Sequence, residues 1–211
     1  MRHLHFGKLF FVVFSLLLAY TVSARKPIKT LLITGQNNHN WQVSHVVLKQ
    51  ILENSGRFDV DFVISPEQGK DMSGFVLDFS PYQLVVLDYN GDSWPEETNR
   101  RFLEYVQNGG GVVIYHAADN AFSKWPEFNR ICALGGWEGR NENSGPYVYW
   151  KDGKLVKDSS AGPGGSHGRQ HEYVLNGRDK VHPVVKGLPL KWRHAKDELY
   201  DRMRGPGNIR D

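Results

Sequence analysis

The stretch from Asn108 to Phe122 places a histidine where a buried strand is expected to stop. It reads NGGGVVIYHAADNAF, with turn-forming glycines, a run of branched apolar residues and then His116. The small residues after His116 allow a tight strand-to-helix turn, where a side chain stands above neighbouring backbone N–H groups. Ser or Cys there would be a nucleophile, whereas an imidazole suits general acid–base chemistry or metal binding. The alternative is a structural histidine that hydrogen-bonds at the strand end.

Two more histidines are placed to reach the same point. His39 lies in the polar loop after the first predicted strand, and His171 opens a predicted strand after a glycine-rich loop. Ligands of open parallel sheets bind beyond the carboxyl ends of the strands, so loops that follow different strands face one crevice. We therefore expect His39 to point at the crevice of His116, and His171 to be able to return to it. Three polar residues follow the third predicted strand and flank that crevice: Asp88, Asn90 and Asp92.

The remaining candidates favour structural roles. His45 lies among apolar residues of a predicted helix, and His182 precedes a proline, which is typical of a surface turn. Cys132 is the only cysteine, and we expect it to be a small buried hydrophobe. Asp197 and Glu198, considered alone, are predicted to belong to a solvated charge run. No H-E-x-x-H, paired C-x-x-C or G-x-S-x-G motif decides the chemistry.

Buried strands and amphipathic helices alternate in the first half of the chain. The apolar runs predict four strands: 29–34, 58–64, 82–89 and 111–116. Helical spacing and turn residues predict helices over 41–56 and from Pro95 to Asn108. This alternation is typical of right-handed βαβ units in a parallel sheet with helices on both faces, an open flavodoxin-like α/β fold. Gly109–Gly111 precede their strand, so they end a helix rather than bind a dinucleotide.

After Cys132 the sequence becomes rich in Gly, Ser and charged residues, and it shows neither repeats nor a second domain. It predicts a hairpin over 147–156, with its turn at Asp152 and Gly153, and then a strand, HEYVL. We expect this segment to pack near the strand ends of the same sheet.

The N-terminus predicts export of the chain. Residues 1–24 combine Arg2 and Lys8, a short apolar run and small exit residues, the pattern of a cleaved secretory signal peptide. The run is shorter than the roughly 20 residues that span a bilayer, so an uncleaved anchor is the less favoured alternative. We expect residues 25–211 to form one periplasmic or secreted domain with no membrane contact. Loss of Arg2 and Lys8 lowers the formal charge by two, from +3 to +1, which argues against a nucleic-acid partner.

Six motifs of the mature chain carry a family resemblance. In order, they are LLITGQNNHNW, FSPYQLVVLDYNGDSWPEE, FLEYVQNGGGVVIYHAADNAF, HGRQHEYVL, HPVVKGLP and DELYDRM. Together they resemble the trehalose-utilisation, or ThuA-like, family over the whole mature chain. That family is similar in fold to class I glutamine amidotransferases, which implies a flavodoxin-like three-layer sandwich with a mainly parallel sheet. The resemblance places His116 where an amidotransferase carries its cysteine, so glutaminase activity is not expected.

The resemblance also implies a site and a substrate class. The pocket candidates are His39, His116, His171 and Glu198; Glu198 is included because DELY matches, with Asp197 as its alternative. The family is associated with trehalose and related disaccharides through keto-sugar intermediates, so an exported hydrolase, lyase or isomerase acting on a small sugar is expected. Three tryptophans near the crevice loops are candidates to stack on sugar faces: Trp41, Trp94 and Trp137.

Several alternatives remain open from the sequence. A group of histidines and a carboxylate suits a divalent cation such as zinc, with His116, His39 and His171 as candidate ligands. A non-catalytic carbohydrate-binding or assembly module that keeps the fold is the second functional hypothesis. Members of the family usually continue beyond DELY into further strands, whereas this chain ends at GPGNIRD. Two interpretations follow: a fragment of a longer protein, or a shortened protein with an incomplete sheet edge or pocket wall. The oligomeric state is open, a homo-oligomer included.

Overall fold

The structure is a computed structural model that describes residues 26–208. The predicted signal peptide, residues 1–24, lies outside this range. The described chain contains a four-stranded parallel sheet with the order β2-β1-β3-β4. The strands are β1 (Ile28–Thr34), β2 (Phe58–Ile64), β3 (Leu84–Leu87) and β4 (Gly111–Ile114). The helices are α1 (Trp41–Asn54), α2 (Glu96–Gln107) and α3 (Pro126–Cys132). The parallel α/β sheet predicted from the apolar runs is therefore confirmed.

Helices cover both faces of the sheet, which makes three layers. Alternate residues of a strand point to opposite faces, and the central strands are buried on both. On one face, Phe102 of α2 packs in a cluster with the odd-numbered strand residues Leu31, Ile33, Val85 and Leu87. On the other face, Leu48 and Leu52 of α1 pack against Leu32 and Val86. Burial on both faces explains why these strands read as continuous apolar runs rather than alternating ones.

The ends of α2 follow from its sequence. The helix begins directly after Pro95, with Glu96 and Glu97 in its first turn, where acidic side chains interact favourably with the helix dipole. It ends at Gln107, and Gly109 has a φ of 89°, a conformation that glycine adopts without steric cost. This turn returns the chain to the sheet at β4. The third and fourth strands end earlier than predicted, where the following residues form the loops of the crevice, and β3 also begins two residues later than predicted.

The second half of the described chain forms small antiparallel pairs. The predicted hairpin is present as β5 (Tyr147–Lys151) and β6 (Lys154–Asp158). Asp152 and Gly153 both have positive φ, as a two-residue hairpin turn requires. The other strands are β7 (Ser166–His167), β8 (His171–Asn176), β9 (Lys191–Asp197) and β10 (Tyr200–Asp201). They pair as β8 with β9 and as β7 with β10. Among residues 26–208, no helix is both long and apolar enough to cross a membrane.

Arg204 attaches the C-terminal part of the described chain to the rest of the domain. Its side chain is fully buried, and its guanidinium donates to the backbone carbonyls of Gly145 (2.9 Å), Gly162 (2.6 Å) and Ser160 (3.0 Å). The guanidinium also lies 3.9 Å from the centre of the Tyr147 ring. A buried charge is tolerated when its donors are satisfied in this way. The segment held by Arg204 includes β10, which contributes to the site described below.

Replacing Arg204 with methionine is expected to lower the free energy of unfolding by about 3 kcal/mol, because buried carbonyls lose their donor while most of the side-chain volume is retained. Urea unfolding followed by circular dichroism measures the change. Arg130→Met is the matched control, since Arg130 is largely exposed on α3, and it should change stability by less than about 0.5 kcal/mol. Equal losses in the two variants would contradict the anchoring role of Arg204.

Candidate functional site

His116 stands at a strained turn directly after β4. Its φ is 47°, in the left-handed region, which costs a non-glycine residue of the order of 1–3 kcal/mol. It begins a short 3-10 helix, His116–Asn120, in which Ala117 and Ala118 are fully buried. The small side chains let the turn pack closely against the sheet, so the strand-to-helix turn expected from the sequence is present. Its geometry raises the imidazole at the carboxyl edge of the sheet.

His39 and Glu198 meet His116 at this edge. The ring centroids of His39 and His116 are 4.5 Å apart, and Nε2 of His116 lies 3.8 Å from Oε2 of Glu198. One nitrogen or oxygen atom from each of the three side chains can be chosen so that all lie within 4.8 Å of one another. Residues separated by more than 150 positions in sequence thus form one cluster, as the rule for parallel sheets predicts for the two histidines.

His167 and Tyr200 complete the group around Glu198. Nε2 of His167 lies 3.9 Å from Oε1 of Glu198, so the carboxylate stands between two imidazoles. The Tyr200 ring stacks on His116 with a centroid distance of 4.9 Å, and its hydroxyl is 3.4 Å from Nε2 of His116. Trp137 packs edge-on against Tyr200 at 4.8 Å. The antiparallel pairing of β7 with β10, which aligns Tyr200 with His167, brings these groups together.

These side chains border a small polar cavity of about 210 Å³. Its lining residues are Asn38, His39, Asn90, Asn120, Trp137, Glu138, His167, Glu198 and Tyr200. His116 contacts three of these lining residues, His39, Glu198 and Tyr200, and its side chain is 31% exposed. The imidazole therefore keeps access to solvent while being held by its neighbours.

Asp88 fixes the loop that carries His39. It follows β3, is 2% exposed, and accepts hydrogen bonds from Ser44 of α1 (2.5 Å) and from Asn37 (3.2 Å). Asn37 in turn accepts the backbone N–H of His39 at 3.0 Å. Burial raises the pKa of the Asp88 carboxyl, and the hydrogen bond from Ser44 opposes that rise. Asp88 is thus a buried positioning group rather than a wall of the cavity.

Of the four residues predicted for the pocket, the structure brings together His39, His116 and Glu198 but leaves His171 outside. The backbone of His171 pairs with Asp197, next to Glu198. Its side chain is nevertheless exposed, with Nδ1 3.0 Å from the carbonyl oxygen of Arg169. The strand pairing of His171 is with Asp197 and does not extend to Glu198, which lies just beyond the end of β9. His171 is therefore not part of the His39–His116–Glu198 group that could hold a metal.

The choice between the two neighbouring acids is resolved by their contacts. Asp197 accepts the backbone N–H of Glu198 at 2.8 Å, so its carboxylate turns back on the chain. Glu198 lines the cavity. The solvated charge run expected for these residues without the resemblance is incorrect for Glu198, whose side chain is only 16% exposed.

Sequence reasoning missed His167 and did not assign a role to Tyr200. Both lie on two-residue strands, which have no periodicity for a pattern to reveal. Of the three tryptophans proposed to stack on sugar faces, Trp137 lines the cavity. Trp94 is 3% exposed in the core, and Trp41 packs on His45. In the sequence, the glycine-rich loop around His167 and the DELY motif, which ends at Tyr200, are the features that could have indicated these two residues.

The other structural expectations agree with the contacts observed. His45 is buried, with Nδ1 2.6 Å from the carbonyl of Trp41, and His182 is exposed in a turn. Cys132 is the last residue of α3 and packs against the core, although it is partly rather than fully buried. Burial raises the pKa of its thiol to about 12, and the sulfur lies 2.9 Å from the carbonyl oxygen of Leu134. The protein's only cysteine is thus neither at the turn nor in a reactive thiolate form.

The protonation states favour a neutral imidazole beside a neutral phenol. Burial, together with the nearby His39, lowers the pKa of His116, and Glu198 partly opposes this. Burial, together with the surrounding carboxylates, raises the pKa of Tyr200. Near neutral pH, His116 can therefore accept a proton while Tyr200 can donate one.

The same cluster has ligand atoms that suit a divalent cation. Nε2 of His39 is buried and has no hydrogen-bond partner among the described residues. Two imidazoles and one carboxylate form a ligand set that zinc accepts, with a fourth position left for water or a substrate. The spacing of the three ligand atoms permits such a site.

A parallel sheet with the order 2-1-3-4, helices on both faces and a strained residue after the fourth strand define a flavodoxin-like α/β protein with an imidazole at the turn. The sequence model of the ThuA family, described as trehalose utilisation, matches residues 29–210. The chain belongs to that family. No curated protein sequence matches the chain significantly.

A solved structure supports the fold. A ThuA-like protein from Bacteroides uniformis is similar with a TM-score of 0.51 and 18% sequence identity. The similarity covers 83% of this chain and 62% of the other. The chain thus spans less than two thirds of the length of this neighbour, and the likeness carries the fold alone.

The electrostatics of the cluster predict how His116 titrates. Its midpoint, followed by NMR of the imidazole C–H signals, should lie below the ordinary value of 6.5. His39→Gln should raise the midpoint by removing a neighbouring imidazole, and Glu198→Gln should lower it further by removing a nearby negative charge. Glu172→Gln, on an exposed acid paired with Arg193, is the control and should leave it unchanged.

The lowered pKa also determines a pH dependence of stability. Between pH 6.5 and the lower native pKa, His116 is protonated in the unfolded chain but neutral in the native protein. Its contribution to stability therefore falls as the pH decreases through this range. A His116 midpoint above 6.5, or one that both cluster variants leave unmoved, would contradict the assigned electrostatics.

Proposed function

We propose that this chain is an exported carbohydrate-active protein that acts on keto-glycosides of the trehalose type, with His116 as the proton-accepting group. Family membership supports the substrate class. The observation that carries the proposal is the position of His116 Nε2 between the Tyr200 hydroxyl, 3.4 Å away, and the Glu198 carboxylate, 3.8 Å away. Export rests on the signal-peptide pattern of residues 1–24.

The composition of the site favours proton transfer at carbon over direct hydrolysis of a glycoside. Glycosidases commonly use two carboxyl groups on either side of the scissile bond, one of them held protonated. Here the partly buried groups are two imidazoles, a phenol and the single carboxylate of Glu198, while the other acid of the cavity, Glu138, is exposed. A neutral imidazole is a suitable base for a hydrogen next to a carbonyl group, where the resulting charge is delocalised.

The proposed step is an elimination. His116 removes the hydrogen from the carbon that lies between the ketone and the anomeric carbon of the sugar. The electron pair of that C–H bond forms a carbon–carbon double bond, and the glycosidic C–O bond breaks. The departing oxygen takes a proton from Tyr200, and the protonated His116 then returns one to Tyr200 across their 3.4 Å contact. The products are an unsaturated keto-sugar and a free sugar, and no oxidant is consumed.

Glu198 is assigned to orient His116 and to stabilise its protonated form. The carboxylate is 16% exposed and lies within 4 Å of both His116 and His167, so the positive charge that forms on His116 gains a partner in a poorly solvated place. Stabilisation of charge that develops during the reaction is the general basis of such assistance.

A metal-assisted reaction is the second candidate, and the unpartnered Nε2 of His39 favours it. In this alternative His39, His116 and Glu198 hold a divalent cation, and His116 is a ligand instead of a base. A bound cation supplies a Lewis acid for a carbonyl oxygen or lowers the pKa of a bound water. The two candidates predict different metal contents for the same purified protein.

The mature chain, beginning at Arg25, is expected to convert 3-keto-trehalose but not trehalose, as measured by NMR of the products. His116→Ala should reduce the rate at least ~100-fold, the scale of a lost general base, while the exposed His182→Ala should retain it. N-terminal sequencing of the protein exported by cells that express residues 1–211 should begin at Arg25. Full activity in His116→Ala, or no conversion of the keto-sugar by the unaltered chain, would refute the proposal.

Elemental analysis of the dialysed protein separates the two candidates. The metal-assisted candidate predicts about one divalent cation per chain, lost in both His39→Ala and His116→Ala because each removes a ligand. His194→Ala is the control, since that partly exposed histidine stacks on Tyr173 and lies outside the cluster. Activity that survives chelation in a metal-free protein would exclude this candidate and retain the acid–base one.

A further inference from the structure

A second polar cavity adjoins the first and is used by none of the steps above. It has a volume of about 560 Å³, within the usual range of ligand pockets. The two cavities share Asn38, Asn90 and Glu138 in their walls. A ligand held at the histidine cluster could therefore extend directly into the larger space.

The wall between the cavities is preformed. The side-chain nitrogen of Asn90 donates to Asn38 at 3.1 Å, which joins the loop after β3 to the loop after β1. The backbone N–H of Asp92 donates to the side chain of Gln36 at 2.7 Å. Gly91 lies against that same glutamine side chain, and a Cβ at this position would collide with it. The loops are thus locked together without a ligand, which reduces the entropy cost of binding.

The side chains that line the second cavity suit a neutral, hydroxyl-rich ligand. Amides are the commonest polar groups of the lining, with Asn37, Asn38, Gln68, Asn90 and Asn99. Its charged residues are two acids, Asp92 and Glu138, and a single base, Lys124. Each amide offers both a donor and an acceptor, as sugar hydroxyl groups do. A phosphate or another anion would call for several basic groups. Trp125 adds an aromatic surface to the wall.

Asn99 lines this cavity and has an acceptor atom without a partner among the described residues. Its amide nitrogen donates to the Trp94 carbonyl at 3.5 Å, whereas its buried Oδ1 has no hydrogen-bond partner among the described residues. A buried polar atom without a partner costs about 1–3 kcal/mol, and a ligand hydroxyl would recover that cost. His39 Nε2 is the corresponding unpartnered atom of the first cavity.

We infer that the second cavity is the subsite for the second ring of a disaccharide, with Asn99 as a recognition residue for one of its hydroxyl groups. The inference rests on the proposed function for the placement of the first ring at the histidine cluster. Such a subsite would make the protein selective for disaccharides, because a monosaccharide occupies only one of the two adjoining cavities. The protein should accordingly distinguish disaccharides from single sugars by affinity.

Calorimetric titration of the mature chain with trehalose and with glucose tests this inference without requiring turnover. Trehalose should bind at least ~10-fold more tightly than glucose, which corresponds to about 1.4 kcal/mol. Asn99→Leu, similar in size but without the acceptor, should reduce trehalose affinity about tenfold and leave glucose affinity unchanged. Asn54→Leu, on the exposed end of α1, is the matched control and should alter neither.

Gln68→Ala provides a second variant if Asn99→Leu fails to fold, because Gln68 lines the cavity from an exposed position. It should also weaken trehalose selectively. Equal affinities for the two sugars, no binding of either sugar, or equal losses for both sugars in these variants would overturn the subsite. Failure of the proposed function would give a different result: trehalose would still bind selectively, but the keto-sugar would yield no product.

Discussion

The position of the Glu198 carboxylate between the imidazoles of His116 and His167 is the contact on which the site depends. His116 follows the fourth strand of the parallel sheet, whereas Glu198 and His167 belong to the irregular second half. Their approach requires that the C-terminal segment be tied down, and the buried guanidinium of Arg204 does this through three backbone carbonyls. The buried guanidinium of Arg204 thus holds in place the part of the chain that supplies Glu198, the only partly buried carboxylate of the cavity.

The strain at His116 and the burial of its neighbours have the same structural origin. A strand that stops at the carboxyl edge of the sheet must turn at once, and the left-handed conformation of His116 makes that turn. Ala117 and Ala118 then pack beneath it with no exposed surface. The surrounding side chains remove water from the imidazole, which lowers the pKa of His116. Local backbone strain is therefore coupled to the chemical state of the side chain, as is common at functional sites.

The sheet could be predicted from the sequence because its central strands are buried on both faces and read as continuous apolar runs. The same rule placed His39 and His116 together, since both follow strands of that sheet. Contacts made by the second half were harder to predict. Tyr200 and His167 meet through strands of two residues, too short for any periodicity, and His171 lies beside Asp197 along the backbone but turns its ring to solvent. Glu198 could be assigned to the pocket only from the family motif DELY.

The arrangement of polarity explains why one site can combine proton transfer with sugar recognition. The phenol and imidazole stay neutral because they are partly removed from water, whereas the adjoining cavity is lined by amides, among which Asn99 has an acceptor without a partner in the described part of the chain. When one ring of a disaccharide occupies the amide-lined cavity, its other ring would lie towards the less solvated histidines. Recognition energy gained away from the reacting atoms would then offset the cost of removing those atoms from water. The loops that join the two cavities, through Asn38 and Asn90, are the structural basis of that coupling.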